Sequence, residues 1–253
     1  MCSSDLWWRG SVIAIAVLLP SPRAQAAPPP FAEVRHRYEI SDGRLLDRDG
    51  RLLQEQRLSW KGRTISWVRL DEVSPALLAA VLQAEDRRFR EHAGVDWRAL
   101  AAAAWQNVVR GSKRGASTIT MQTASMLESA KARSGRRGLR EKLRQVELAR
   151  ELERSWTKDQ ILEAYLNLVS FRGELRGLSA ASRALFGRDP HGLDLRESYL
   201  LASLLRAPGM SAEAVGKRLC AEAETRKDLG DCASLRRFAL ATLNRPAFQI
   251  GRA

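Results

Sequence analysis

From Ser74 to Gly209 the chain is punctuated as a succession of helices, and this cadence points to a mainly α fold. Ser74-Pro75 reads as an N-cap followed by proline at the first helical position, with Leu77, Leu78, Val81 and Leu82 making one apolar face that runs up to Glu85. Asp96 is placed to cap a second helix whose Leu100, Ala104 and Val108 form a stripe ending before Arg110-Gly111. A third helix is predicted to start at Ser117 or Thr118, and a long one to run from about Leu139 to Arg154. Thr157 with Gln160, and Asp194 with Glu197, have capping-box spacing for two more, the last ending at Ala207-Pro208-Gly209. Only Arg44 to Arg69 alternates like strands, around Asp49-Gly50, which predicts a small hairpin with a type I′ turn.

The ends of the chain are organised differently. Residues 1–26 have the form of a signal peptide or short membrane anchor: Arg9, an apolar stretch from Ser11 to Leu19, then Ala24-Gln25-Ala26-Ala27 with the small-x-small form of a cleavage site. The apolar stretch is short against the roughly 20 residues a membrane span needs. Residues 27–43, with Pro28-Pro29-Pro30, read as a linker, 44–209 as the main domain, and 210–253 as a helical extension. An exported chain would carry Cys220 and Cys232 into an oxidising compartment, where a disulfide and two unpaired buried thiols are both open. A net charge of +13 calls for an anionic partner. No helix-turn-helix, RNP or zinc-module pattern is present, so nucleic acid is not the expected partner. An anionic membrane surface accounts better for the charge of an exported protein.

Two segments carry chemistry. Glu85-Asp86-Arg87-Arg88-Phe89-Arg90-Glu91-His92-Ala93-Gly94 puts an acid where a helix stops, with Asp86, Phe89, His92 and Gly94 as its structural support. Gly115-Ala-Ser-Thr-Ile-Thr-Met-Gln122 then sets Ser117, Thr118, Thr120 and Gln122 around a helix start, where free N–H groups suit a phosphate or oxyanion. It is not a Walker loop, which excludes the usual nucleotide triphosphatase. The pair reads as a general base, Glu85, facing an anion cradle. Lys131 to Arg144 is a basic run interrupted by Gly135 and Gly138, either a solvated helix face or a loop lying on anionic headgroups.

With Lys158-Asp-Gln-Ile-Leu-Glu-Ala-Tyr-Leu-Asn167 and Phe171-Arg-Gly-Glu-Leu-Arg-Gly177 following in order, the stretch from about Leu45 to Gly209 resembles the peptidoglycan glycosyltransferase domain of class A penicillin-binding proteins, glycosyltransferase family 51. The resemblance implies a lysozyme-like, two-lobed helical fold with a membrane-facing jaw. It implies that Glu85 takes the proton from the 4-hydroxyl of an acceptor lipid II, that attack on the donor's anomeric carbon expels undecaprenyl pyrophosphate with inversion, and that lipid II and the growing glycan chain are the partners. Ser117, Thr118, Thr120, Gln122, Lys142, Arg144, Lys158 and Asn167 would then bind substrate, chiefly the donor and its pyrophosphate. No cofactor or metal site is implied, and stimulation by a divalent cation stays open.

Three positions depart from the family pattern. Gln145 stands at the second catalytic position, where an acid is usual, Met121 where many members have Gln, and Ser125 where many have Lys. The Met and Gln variants resemble the C-type branch. Glu141, one turn earlier on the same face, could substitute for the missing acid. Ser155-x-x-Lys158 has no Ser-x-Asn or Lys-Thr-Gly companion, so no transpeptidase is expected within this chain and a separate one would cross-link the product. Three readings follow: a lipid II polymerase, a non-catalytic lipid II-binding scaffold of the same family, and a lysozyme-like glycan hydrolase.

Overall fold

The computed structural model describes residues 27–60, 62–110, 117–128 and 139–245. The leader at 1–26, Gly115 and Ala116 of the expected cradle, and Lys131 to Gly138 of the basic run lie outside the described residues. Ten α-helices are described: α1 (Phe31–His36), α2 (Pro75–Glu85), α3 (Trp97–Arg110), α4 (Ile119–Leu127), α5 (Leu139–Ser155), α6 (Lys158–Leu168), α7 (Leu178–Phe186), α8 (Leu195–Arg206), α9 (Ala212–Thr225) and α10 (Cys232–Leu243). One antiparallel hairpin, β1 (Asp42–Leu46) with β2 (Leu52–Arg57), stands apart from the helices.

The helix boundaries follow the start signals. Thr118, Thr157, Asp194, Ser211 and Asp231 each accept a hydrogen bond from a backbone N–H three residues on, which satisfies a donor the helix itself leaves free. Ser74 differs from expectation. Its hydroxyl donates to the Leu193 carbonyl at 2.9 Å, so proline at the first helical position starts α2 while the serine ties it to the segment before α8.

Two expectations about the N-terminal region change. The stretch expected as a linker contains α1, whose Phe31 packs edge-on against Trp67 and Trp156, ring centroids 6.0 and 5.2 Å away. Burying an aromatic ring between two others outweighs the weak helix propensity of so short a segment. The hairpin turn is a longer loop than the type I′ form: Gly50 donates to the Asp47 carbonyl, and the Asp47 carboxylate accepts from Asp49 and Arg51. A type I′ turn needs two residues with positive φ, and here Gly50 alone supplies one, at 78°.

The core sits between α2, α4, α6 and α8. Leu77, Val81, Ile119, Leu152, Ile161, Leu162, Tyr165, Phe171, Leu178 and Leu200 are wholly or almost wholly buried in one cluster. α8 carries the largest share of it, followed by α6, and α2 lies along α8, so the end of α2 is fixed against the core. The C-terminal pair α9 and α10 packs against this core through Val215, Leu219, Leu235 and Ala239.

Of the two alternatives for the cysteines, the disulfide is the one found: Cys220 in α9 bonds Cys232 at the start of α10, with Cα atoms 4.7 Å apart. The loop it closes is short, and closing a loop of this size removes enough freedom from the unfolded chain to contribute about 3 kcal/mol. A Cys220→Ser, Cys232→Ser double variant should therefore unfold at a lower urea concentration, with an unfolding free energy about 3 kcal/mol smaller. An unchanged midpoint would show that α9 and α10 hold each other without the bond.

Candidate active site

The end of α2 separates two adjacent carboxylates. At Asp86 the backbone leaves the helix, with φ near −159°, and the Asp86 side chain turns inward while Glu85 remains on the groove side. Asp86 is buried. Its oxygens meet His92 Nε2 at 3.0 and 3.1 Å and accept from the Ile119 N–H, the first residue of α4, at 3.1 Å. A buried carboxylate is stable there because the amide and dipole at the helix start face it. Phe89, 1% exposed, anchors the turn between, and the Lys158 ammonium lies 4.4 Å from its ring centroid. Gly94, at φ 88°, brings the loop against the backbone of α5, where an added Cβ would sit 2.8 Å from the Ala149 carbonyl.

Glu85 is held by the next layer. Its Oε2 accepts from Gln122 Nε2 at 2.9 Å, one turn into α4, and its side chain is only 8% exposed. Its Oε1 is buried without a hydrogen bond, and the nearest cation is the Arg206 guanidinium at 3.9 Å. Glu85 lines a cavity of about 280 Å³ together with Ser117, Thr118, Arg87, Arg88, Gln106 and Arg206. The acid and the tip of α4 thus open onto one space. On the opposite wall Arg88 makes a two-pronged ion pair with Asp96, whose carboxyl is raised by burial but lowered more by the Ala99 N–H and Arg88, so that it stays below its ordinary range.

The expected anion cradle is rearranged. Two α4 amides that would serve an external phosphate are already engaged: Ile119 N–H by Asp86, and Met121 N–H by the Thr118 hydroxyl, which itself donates to the Gly94 carbonyl at 2.6 Å. Ser117 is the hydroxyl left at the cavity edge, and Lys142 Nζ donates to it at 2.7 Å. Burial lowers the pKa of Lys142, a cost that a bound anion would offset.

The remaining candidates are placed elsewhere. Thr120 is fully buried and donates to Glu153, which also accepts from Lys158, while Lys158 donates in addition to the His92 carbonyl. These side chains brace α4, α5 and the Glu85 loop from behind. Asn167, 1% exposed, makes hydrogen bonds to both backbone groups of Val68 and to the Glu163 carbonyl, and borders a different cavity beside α1. Its amide is a backbone brace here, and the structure does not bring it to Glu85. Arg144 ion-pairs with Glu128 just past α4. Gln145 is half-buried on the face of α5 that carries Lys142 and Ala149.

The departures at positions 121 and 125 have local accounts. Met121 is 2% exposed and packs with Val95 and Ala149, and the Ser125 hydroxyl donates to the Met121 carbonyl. Sequence reasoning missed Arg206, Asp96 and Glu153. The signal at Asp96 was read only as a helix cap, and it performs that task as well, accepting from Ala99 at 2.9 Å. Nothing local marks Arg206, because its relation to Glu85 arises from the packing of α8 on α2. Among the described residues, no group of three or more His, Cys, Asp or Glu side chains is placed to hold a metal ion.

Residues 49–229 match the Transglycosylase family. The biosynthetic peptidoglycan transglycosylase of Rhodospirillum centenum is 42% identical over 142 residues, 56% of this chain and 60% of that protein. That of Mannheimia succiniciproducens is 38% identical over 143 residues, 56% and 57% of the two chains. Penicillin-binding protein 1C of Escherichia coli is 40% identical over 142 residues, again 56% of this chain but 18% of the relative. The match thus spans at most about three-fifths of these relatives' lengths.

Gly94→Ala combines a left-handed backbone with a clash against α5, and each such strain costs on the order of 1–3 kcal/mol. The variant should lose about 2–4 kcal/mol of stability in a denaturant titration. Wild-type stability in this variant would mean that the loop and α5 are not packed as described.

Proposed function

This chain belongs to the transglycosylase family, and we propose that it is a peptidoglycan glycosyltransferase that polymerises lipid II into β-1,4-linked glycan with release of undecaprenyl pyrophosphate. The observation that carries this reading is the state of Glu85: one oxygen held by Gln122, the other buried without a hydrogen bond, in a cavity shared with Ser117. A general base must be oriented and must keep a lone pair free for the proton it takes.

In the reaction the acceptor's 4-hydroxyl gives its proton to Glu85 Oε1 as its oxygen bonds to the anomeric carbon of the donor. The bond from that carbon to the diphosphate breaks on the opposite face, so the configuration inverts. Charge grows on the leaving diphosphate, and the Lys142–Ser117 pair, with Arg144 further along α5, is the group of side chains assigned to it. Gln122 has a different task, since its amide orients the base. Thr118, Thr120 and Lys158 keep the helix tip and the Glu85 loop in register.

Localisation at the outer face of the inner membrane completes the reading. A disulfide suits an oxidising compartment, in agreement with the leader-like form of residues 1–26. Trp97, Trp105 and Val109 project from α3 with 56%, 71% and 59% of their surface exposed, and Leu143 on α5 is 56% exposed. Exposed tryptophans on a chain of net charge +13 suit an anionic membrane surface, where the lipid-linked substrate resides. No helix among the described residues is long and apolar enough to cross a membrane. A separate transpeptidase would cross-link the product.

Polymerisation of labelled lipid II tests the proposal. Glu85→Gln should lower the rate by at least 10²-fold, the usual contribution of a positioned base. Equal rates for the variant and the parent would leave a lipid II-binding role, and release of muropeptides from sacculi would identify a hydrolase. Gln145→Glu asks a separate question: a rate rise of several fold would show that the amide limits turnover. A fall would show that this site is built around glutamine.

A further inference from the structure

We propose that Arg206 is a positioning residue for the reaction, its guanidinium being held beside Glu85 by the C-terminal helix α9 so that the base keeps a counter-charge and stays aimed into the groove. The inference deepens the proposed function and rests on Glu85 being the base. It also assigns a task to α9, in an extension for which the sequence pattern suggests no role.

Glu85 needs a counter-charge. Its side chain is almost entirely removed from water, its one hydrogen-bond donor is the neutral Gln122, and its chain neighbour Asp86 is a second buried carboxylate. On the α6 side stands the Tyr165 hydroxyl, buried without a partner. Burial first, and then the negative charges of Glu85 and Asp86, push its pKa well above the ordinary range, so it stays neutral. His92 is engaged by Asp86. Of the arginines on the same cavity, Arg88 is paired with Asp96, and Arg87 is exposed and turned back onto the Gln83 carbonyl. Among the described residues, Arg206 alone forms an ion pair with Glu85.

The position of Arg206 is set by two helices. α8 ends at Arg206, because Ala207 takes an extended conformation before Pro208. From α9, Arg218 donates to the Ser203 carbonyl at 3.3 Å, one turn back along α8. Burial and the like charge of Arg206 lower the pKa of Arg218, while Glu222 and Glu85 act in the opposite sense. Arg218 therefore places positive charge on the α9 side of Arg206 and disfavours a swing toward Glu222, which is occupied by Gln83 Nε2 at 2.9 Å. Glu85 is left as the carboxylate toward which Arg206 turns. Gln83 also accepts from Tyr199, so α2, α8 and α9 are tied together within three residues of the base.

The test is the pH dependence of lipid II polymerisation by the full chain and by Arg206→Gln, Arg206→Lys and Arg218→Gln. Removing a cation near 4 Å disfavours the carboxylate, so the acidic limb of kcat/KM should move to higher pH in R206Q, by about half to one unit for a half-exposed pair. At a fixed pH on that limb the rate should fall about 3- to 10-fold, while the rate on the plateau above it and the KM for lipid II stay within about 2-fold. R206K should restore the limb, and R218Q should move it in the same direction by less. Thermal melts check that each variant folds. A limb that stays in place in R206Q overturns the inference, as does a pH-independent rise in KM, which would mark Arg206 as a substrate contact. The outcome for E85Q separates the two levels. Full activity in E85Q overturns both readings, whereas an inactive E85Q with an unshifted R206Q overturns only the role of Arg206.

Discussion

The Asp86 carboxylate at the start of α4 is the contact on which the candidate site depends. It joins three pieces of chain at once: the end of α2, the loop carrying His92, and the first amide of α4. A charged acceptor meeting a helix N-terminus inside the protein is stronger than the same contact in water, and an unpaired buried carboxylate would be costly. This contact fixes the rotation of α4 about its axis, and that rotation decides that Gln122 reaches Glu85 while Thr120 turns toward Glu153. Two adjacent acids in one motif consequently face opposite ways, Asp86 into the protein and Glu85 onto the cavity.

The site has a dry back and a polar front. Behind it, Phe89, Lys158, Glu153 and Thr120 form a sealed set of contacts in which each polar group has a partner within the protein. In front, Glu85 Oε1 lacks a hydrogen bond, Lys142 is held partly out of water, and the guanidinium of Arg206 is 46% exposed. Buried polar groups are ordinarily satisfied, so such a group facing a cavity marks where a substrate would complete the set. In the proposed reaction this arrangement would put preorganised charge at both ends of the displacement, a carboxylate where a proton departs and cations where negative charge arrives.

Much of the fold was legible because helix boundaries are written locally. A capping side chain needs only a backbone amide three residues away, so Thr118, Thr157 and Asp194 announce their helices without any tertiary contact. At Thr118 locality tells only part, since the hydroxyl that caps α4 also donates to the Gly94 carbonyl. At Asn167 tertiary structure adds a task, because a polar residue within a recognisable motif serves the backbone of a distant segment, here Val68. The short helix α1 and the longer hairpin loop were illegible for a related reason, since aromatic packing and side-chain bonds from Asp47 decide them.

By its sequence alone the chain specifies a run of capped helices, a carboxylate at the end of one of them, a family resemblance, and a cationic character suited to anionic surfaces. Periodicity, caps and charge are properties of neighbouring residues, and they survive without knowledge of the fold. Only tertiary structure decided which hydroxyls face the groove, that α4 presents its tip to Asp86, and that Arg206 lies against Glu85. Those outcomes depend on the relative rotation of helices packed on a shared core, which no local stretch of sequence encodes.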